Sequence, residues 1–251
     1  MKVLCKGASD VGRKRDHNED SFLIDQEASL FVVADGMGGH AGGGTASRIA
    51  VETIDAEIRK ARARPDSPFA SQGSIEDSLV PEALRSAVEA ACASIFHTAQ
   101  NDSRLVGMGT TTIALVVHGD FAFFGHVGDS RAYLVRGDLL QQISEDHSLV
   151  NEQIRAGMIT AEEARHSRYK NIITRSVGFE NEVAVDVMGL VVQPGDTFVL
   201  CSDGMSNLVE EAEILAVAKR PDVETIPQAL IDIANDRGGD DNITVVCVRV
   251  V

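Results

Sequence analysis

The chain has 251 residues, of which 44% are hydrophobic, and it carries a formal net charge of −15 at pH 7. This length and apolar content predict a single domain, residues 1–251, around one sizeable core. The acidic balance argues against an electrostatic surface for nucleic acid or for an anionic membrane.

In the first half of the chain, short β-branched runs precede two long helical blocks. Strands are predicted at residues 3–8, 21–25 and 30–34. A helix is predicted over residues 40–63, where apolar residues recur at helical spacing and charged residues occupy the other side. A second helix is predicted over residues 81–101, with Pro81 suited to its first turn. Between them, the prolines, glycine and serines of residues 64–78 predict an exposed loop.

The second half is rich in strands, predicted at residues 110–117, 121–127, 131–136, 139–143, 182–192, 197–201 and 243–251. Gly119-Asp120 and Gly137-Asp138 are placed to form hairpin turns. Residues 146–168 predict a polar, helical insertion, and further helices are predicted at residues 209–219 and 223–236. The pattern favours an α+β fold in which two sheets pack face to face and helices cover both outer faces.

The apolar segments are too short for a membrane span or a secretion signal. None approaches the ~18–20 residues that a span requires, and residues 1–6 lack the apolar stretch of a signal peptide. The four cysteines show no Cys-x-x-Cys pairing. We therefore expect a cytoplasmic monomer with reduced, buried thiols and with no nucleic-acid or membrane partner.

Short acidic motifs recur from residue 15 to residue 242 where strand-like runs break into glycine-rich turns. They are Arg15-Asp16-His17-Asn18-Glu19-Asp20, Asp35-Gly36-Met37-Gly38-Gly39-His40, Gly128-Asp129-Ser130-Arg131, Ser202-Asp203-Gly204 and Gly239-Asp240-Asp241-Asn242. Carboxylates at strand ends, with glycines that let backbone carbonyls approach, suit hard divalent cations such as Mg²⁺ and Mn²⁺. One such aspartate alone is more often a turn or a helix cap. Together the motifs predict a metal-centred active site.

In this order, the motifs resemble those of the metal-dependent protein serine/threonine phosphatases of the PP2C (PPM) family, and the Asp-Gly-Met-Gly-Gly-His form resembles the bacterial branch. The resemblance runs from Ser9-Asp10 to the last strand and includes Gly109-Thr110-Thr111, Asp146-His147-Ser148 and Thr174-Arg175-Ser176-Val177-Gly178. It implies a four-layer α-β-β-α sandwich with two central antiparallel sheets and metals at one end between them. It also implies that residues 146–176 form a flap over the active site.

The resemblance further implies a pair of Mn²⁺ or Mg²⁺ ions. Such a pair can bridge a hydroxide, orient it in line with the scissile bond and neutralise phosphoryl charge. By resemblance, Asp35 bridges the two ions and Gly36 contributes its backbone carbonyl. Asp203 and Asp241 would complete the shell of the first ion.

Three further acidic residues are candidate ligands by the same resemblance. Asp129 matches a position that, with Asp203, holds a third and weaker metal, the alternative being that Asp129 only caps a turn. In some relatives the residue matching Glu19 contacts the second metal, and in others the neighbouring aspartate acts through water. We expect Asp20 to act through water, with Glu19 as the lesser candidate.

Arg15 and His40 are the catalytic candidates that do not bind metal. The planar guanidinium of Arg15 can bind two phosphoryl oxygens at once, although Arg13 and Lys14 leave a merely basic turn as the alternative. His40, matched through a shared His-Ala-Gly, is expected to protonate the leaving oxygen, and a role only at the start of the helix is its alternative. His126, on an apolar strand, is predicted to be a core imidazole.

The predicted function is hydrolysis of phosphoserine and phosphothreonine on proteins by metal-bound hydroxide. Phosphorylated proteins are the expected substrates, and a bacterial Ser/Thr kinase is the expected opposing enzyme. Two alternatives remain, a non-catalytic phosphoprotein-binding regulator on the same fold and a hydrolase of small phosphoesters. A degenerate binding module should have lost its metal carboxylates, whereas Asp35, Asp203 and Asp241 are all present.

Overall fold

The structure, a computed structural model, describes residues 1–38, 42–70, 74–75 and 78–251. Its strands are β1 (Val3–Asp10), β2 (Asp20–Asp25), β3 (Leu30–Met37), β4 (Gly109–Thr110), β5 (Thr112–His118), β6 (Phe121–Val127), β7 (Arg131–Arg136), β8 (Leu139–Gln142), β9 (Asp186–Val191), β10 (Thr197–Cys201) and β11 (Ile243–Val250). They form two antiparallel sheets. One has the order β1-β11-β10-β7-β8, and the other has the order β2-β3-β5-β6-β9 with β4 paired to the end of β3.

Seven α-helices are described, and four of them cover the outer faces of these sheets. The seven are α1 (Gly42–Ala63), α2 (Val80–Asn101), α3 (Leu149–Arg155), α4 (Ala161–Arg165), α5 (Asp203–Ser206), α6 (Glu211–Ala218) and α7 (Ile226–Asp236). The apolar faces of α1 and α2 pack on the β2-β3-β5-β6-β9 sheet. Those of α6 and α7 pack on the other sheet.

Strand β3 shows how the sequence produces the layers. Successive side chains of a strand point to opposite faces. Leu30 and Val32 therefore join the cluster beneath α1 and α2, while Phe31 and Val33 point into the space between the sheets. A strand buried on both faces has to be apolar at every position, which is why this run shows no polar alternation.

Aromatic and aliphatic side chains fill the space between the two sheets. Phe124 of β6 and Phe198 of β10 meet edge to face with their ring centroids 5.6 Å apart, so that side chains of the two sheets interdigitate. Such sheet-on-sheet packing is the usual way to bury the inner faces of two antiparallel sheets. The predicted four-layer α-β-β-α sandwich is confirmed.

Several predicted strand boundaries were wrong, and one of them lies at a metal motif. Strand β3 continues through Asp35 and Gly36 to Met37, because Gly36 and Met37 pair with β4. The predicted strand at residues 110–117 is interrupted at Thr111. The predicted strand at residues 182–192 starts only at Asp186.

Other predictions agree closely with the structure. The Gly119-Asp120 and Gly137-Asp138 turns join the hairpins β5–β6 and β7–β8, and α2 starts next to Pro81. The polar insertion contains the two short helices α3 and α4. All four cysteines are free thiols, and Cys5 alone among them is not fully buried.

The predicted start of the first helix and part of the predicted 64–78 loop fall on residues 39–41, 71–73 and 76–77, outside the described residues. No helix in the described ranges has the length and apolar character needed to cross a bilayer.

Candidate active site

The predicted acidic ligands come together at one end of the sandwich. Asp20 opens β2 directly opposite Asp35 of β3. Asp203 follows β10 and starts α5, Asp129 lies in the turn between β6 and β7, and Asp241 precedes β11. Distant segments thus deliver five carboxyl groups to one place, and the four others all act electrostatically on Asp35.

These carboxyl groups are enclosed to different degrees. Asp20 and Asp129 are buried, with 9% and 7% of their surface exposed, and the Asp241 side chain is 32% exposed. Asp35 and Asp203 reach the surface in part. The group therefore lines the mouth of a cleft rather than a sealed cavity.

Enclosure and mutual repulsion disfavour the charged forms of the acids. Burial, followed by Asp203 and Asp241, raises the pKa of Asp20 to about 7. The pKa of Asp35 is raised well above its usual range by the protein atoms packed around it and by the other carboxylates. Burial followed by Asp241 likewise raises the pKa of Asp203. A bound cation would remove this penalty, because it supplies the opposite charge.

The arrangement fits hydrated divalent cations. Oδ1 of Asp20, of Asp129 and of Asp203 is buried and has no hydrogen-bond donor among the described residues. Among the described residues, no three His, Cys, Asp or Glu side chains lie close enough together to hold one ion by themselves. Mg²⁺ needs only one or two carboxylates from the protein, and completes its shell with water and phosphate oxygens.

Gly36 is required at its position for packing. A Cβ atom there would lie 2.1 Å from the backbone oxygen of Gly43 and 2.6 Å from that of Glu19. The Glu19 side chain in turn lies beside Gly43, near the start of α1. The close approach of three backbone segments is thus a structural reason for glycine, in addition to the predicted use of its carbonyl.

Arg15 lies at the rim of the acidic group. Its Nη2 donates to Oδ2 of Asp241 over 2.7 Å, and half of its side chain is exposed. Burial opposes the charge, but Asp241, then Asp35 and Glu19, raise the pKa of Arg15. Arg15 is thus a cation that is held by one carboxylate and open to solvent. This arrangement fits its predicted role as the phosphate anchor.

His40 lies outside the described residues. Its predicted role as the general acid therefore stays a prediction from the sequence.

A family model described as Protein phosphatase 2C matches residues 9–240. The chain belongs to the protein phosphatase 2C family. The family and the enzyme class predicted from the sequence, a metal-dependent serine/threonine protein phosphatase, are confirmed.

Relatives of this phosphatase match over nearly their whole length. It is 36% identical to the serine/threonine phosphatase stp of Listeria innocua over 245 residues, which cover 96% of this chain and 93% of the relative. The Mycobacterium tuberculosis phosphatase PstP/Ppp superposes with a TM-score of 0.89 at 32% identity, covering 100% of this chain and 99% of that one. The catalytic domain of PstP in complex with two manganese ions gives 0.85 at 33% identity, covering 99% and 98%.

Asn242 organises the loops of the phosphatase around the acidic group. Its Nδ2 donates to the carbonyls of Val11 and His17, both over 2.9 Å. Its Oδ1 accepts from the backbone of Glu19 over 2.8 Å. Asn242 belongs to one of the acidic motifs, but no role for its side chain was predicted from the sequence. An amide is the natural choice there, because it donates and accepts at once.

Ser202 and the pair Thr110-Thr111 hold two of the acidic residues in place, a role that was not predicted from the sequence. The Ser202 hydroxyl donates to Oδ2 of Asp20 over 2.8 Å. Thr110 Oγ1 donates to the carbonyl of Asp35, and Thr111 Oγ1 accepts from the Asp35 amide. For Ser202 the sequence carried a signal, a hydroxyl residue directly before the predicted ligand Asp203, whereas Thr110 and Thr111 lie far from Asp35 along the chain.

A groove of about 500 Å³ leads away from the acidic group of the phosphatase. It begins at Asp129 and Asp203 and runs between the two short helices α3 and α4 on one side and residues 206–211 on the other. Both helices belong to residues 146–176, the segment that the sequence predicts to be a flap. A chain segment that flanks a phosphorylated residue would have room in this groove.

Proposed function

We propose that this phosphatase hydrolyses phosphoserine and phosphothreonine on proteins at a centre of two divalent cations, Mn²⁺ or Mg²⁺. The observation that carries the proposal is the group of five aspartates gathered from distant segments. Three of them present a buried oxygen that lacks a donor among the described residues. The PstP domain with two manganese ions and the relatives named serine/threonine phosphatase support it.

The cation pair would be held by Asp35, the carbonyl of Gly36, Asp203 and Asp241, and a third, weaker cation by Asp129 with Asp203. When bound, the cations activate water as a nucleophile and neutralise phosphoryl charge. The protein holds the ligands in place before substrate arrives, so little reorganisation is needed during the reaction.

Asp20 and Glu19 would have secondary roles at this centre. One oxygen of Asp20 is occupied by the Ser202 hydroxyl, and the other is buried without a donor among the described residues. This leaves Asp20 one acceptor with which to orient a water ligand. Glu19 is held by its backbone to Asn242 and Ser47, with its side chain beside Gly43.

Arg15 would bind the phosphoryl group. A guanidinium has five N–H donors, and the ion pair with Asp241 uses one of them, on Nη2. The exposed remainder can donate to two phosphoryl oxygens, which orients the phosphorus for in-line attack. Asp241 thereby has two tasks, as a cation ligand and as the group that orients Arg15.

A protein phosphatase requires an enzyme that phosphorylates its substrates. We therefore infer a protein Ser/Thr kinase as the opposing activity, in line with the bacterial origin of the relatives. The cytoplasmic location and the monomeric state remain predictions from the sequence.

The proposed substrate class is tested by comparing a phosphothreonine peptide with a sugar phosphate. Peptide contacts in the groove worth about 1.4 kcal/mol in the transition state would give kcat/KM roughly tenfold higher on the peptide. Steady-state phosphate release measures both values. A higher kcat/KM on the sugar phosphate would favour the small-phosphoester hydrolase. Peptide binding without any turnover would favour the non-catalytic regulator.

Arg15 and His40 are separated by their dependence on the leaving group. Arg15→Lys keeps the charge but loses the planar pair of donors, so we expect kcat/KM to fall on the order of 10²-fold for every phosphoester. His40→Ala is expected to cost on the order of 10²-fold on a phosphopeptide and much less on p-nitrophenyl phosphate, whose phenolate needs little protonation. Initial rates on both substrates measure this difference. Equal losses for His40→Ala would mean that His40 is structural.

A further inference from the structure

Two buried histidines hold the backbone on either side of Asp129. Nδ1 of His147 accepts from the backbone N–H of Gly128 over 2.9 Å. Nε2 of His126 lies 2.9 Å from the carbonyl oxygen of Ser130. The two imidazole rings lie against each other, with centroids 4.8 Å apart and planes at 33°. We call His126 and His147 together the histidine bracket.

The hydrogen bonds fix the proton positions in both rings. Since Nδ1 of His147 accepts from Gly128, the proton of the neutral ring is on Nε2, which donates to Oδ2 of Asp186 over 3.0 Å. Nη1 of Arg175 lies 3.1 Å from the same Nε2, but two donors cannot bond to each other. Arg175 fixes that carboxylate by donating to its Oδ1 over 2.7 Å. A carbonyl oxygen can only accept, so Nε2 of His126 also carries the proton.

Burial agrees with neutral rings. It lowers the pKa of His126 to about 3, with the neighbouring His147 as the next cause. Burial also lowers the pKa of His147, and Arg175 contributes in the same direction against the opposing effect of Asp186. The prediction that His126 is a core imidazole is confirmed by its complete burial, although only Nε2 has a hydrogen-bond partner among the described residues and Nδ1 has none.

The segment that carries Asp129 needs such support. Gly128 has a φ of 109°, which strongly favours glycine. Oδ1 of Asp129 is buried and has no donor among the described residues. Its position is therefore set through the backbone on either side of it.

The histidine bracket also connects this segment to the predicted flap. The backbone amide of His147 donates to the Gly128 carbonyl over 2.8 Å, and its carbonyl accepts from Thr174 over 2.9 Å. The adjacent Asp146 is bound by the guanidinium of Arg131, with the shortest contact at 2.6 Å. The start of the 146–176 segment is thus joined to the residues around Asp129, and the end of the segment is joined to His147.

We propose that His126 and His147 are positioning residues that fix the backbone of Asp129 so that its carboxylate can bind a cation. The inference rests on the proposed function, in which Asp129 and Asp203 hold the third cation. The two histidines act through different nitrogens, Nδ1 in His147 and Nε2 in His126. This difference makes a crossed set of variants informative.

Asparagine places an amide near the position of Nδ1 and glutamine places one near Nε2. His147→Asn therefore keeps an acceptor for Gly128 while His147→Gln loses it. His126→Gln keeps a donor for Ser130 while His126→Asn loses it. Titration of the metal-free protein with Mn²⁺ by calorimetry measures the weakest site, and His97→Gln, an exposed position on α2, is the matched control.

We expect His147→Gln and His126→Asn to weaken the weakest Mn²⁺ site about tenfold, the usual effect of losing a group that orients a metal ligand. His147→Asn, His126→Gln and His97→Gln should stay close to the unmodified protein. Combined with Asp129→Asn, the two damaging variants should cause no further loss. A uniform effect of all four bracket variants, or an unchanged weak site in the two damaging ones, would overturn the proposal.

Hydrogen exchange separates this proposal from the proposed metal role of Asp129. If Asp129→Asn leaves the Mn²⁺ titration unchanged, the third cation site of the proposed function is wrong. The bracket is then judged by the Gly128 amide. We expect its exchange to speed up at least about tenfold in His147→Gln, the fold-change equivalent to losing one hydrogen bond of about 1.4 kcal/mol, and to stay slow in His147→Asn. Equal protection in both variants would overturn the bracket itself.

Discussion

Exhaustive chelation is expected to abolish hydrolysis of a phosphopeptide, and added Mn²⁺ or Mg²⁺ to restore it. The loss should reach on the order of 10³-fold or more, since cations contribute several kcal/mol of transition-state stabilisation and each ~1.36 kcal/mol is a factor of ten. The physical reason is the charge of the site. Without cations, a phosphoryl dianion would approach carboxylates that already repel one another.

The return of Mn²⁺ to the chelated protein also has a readout that does not depend on activity. A ligand present at 100 times its dissociation constant stabilises the folded protein by about 2.7 kcal/mol. For a chain of this size each kcal/mol raises Tm by roughly 2–4 °C, so thermal unfolding should follow Mn²⁺ concentration. Zn²⁺ is the control ion, because an all-oxygen site suits Mn²⁺ and Mg²⁺ better. Undiminished hydrolysis after complete chelation would rule out the metal mechanism.

The layers of the fold were predictable because they follow from local periodicity. Strands such as β6 (Phe121–Val127) and β10 (Thr197–Cys201) were predicted with their observed bounds, since each is an apolar run between turn residues. The strand ends near the metal motifs were not predicted correctly. Strand β3 extends to Met37 because of its pairing with β4, and a short distant partner leaves no periodic signal along the chain.

The candidate site was predictable as a set of residue types and not as an arrangement. The aspartate motifs indicated a hard cation because glycine and carboxylate recur together. Their convergence depends on registers such as Asp20 opposite Asp35, which only the folded sheet defines. The supporting role of Asn242, which joins its own loop to residues 11–19 between β1 and β2, depends on contacts between residues 223 to 231 positions apart. The histidine bracket was invisible for the same reason.

Asp35→Asn is expected to abolish turnover while leaving the domain folded. The substitution keeps the size of the side chain and removes negative charge where the cations must bind. A loss of about 4 kcal/mol of cation-derived stabilisation corresponds to on the order of 10³-fold in rate. Asp203→Asn should behave in the same way. Asp240→Asn removes an equal charge from an exposed position in the loop before Asp241, and should retain the full rate.

Asp35→Asn should change Tm in opposite directions in the absence and in the presence of Mn²⁺. The pKa of Asp35 is raised in the folded protein by burial and by four neighbouring carboxylates. Its ionisation at neutral pH therefore favours the unfolded chain. Asp35→Asn should raise Tm by a few degrees in the metal-free protein, and should lower Tm relative to the unmodified protein at saturating Mn²⁺, because the variant binds the cations less tightly. Calorimetric scans of both proteins at both metal levels measure the four values. A change of the same sign at both levels would mean that Asp35 is a structural carboxylate and that the cations are held elsewhere.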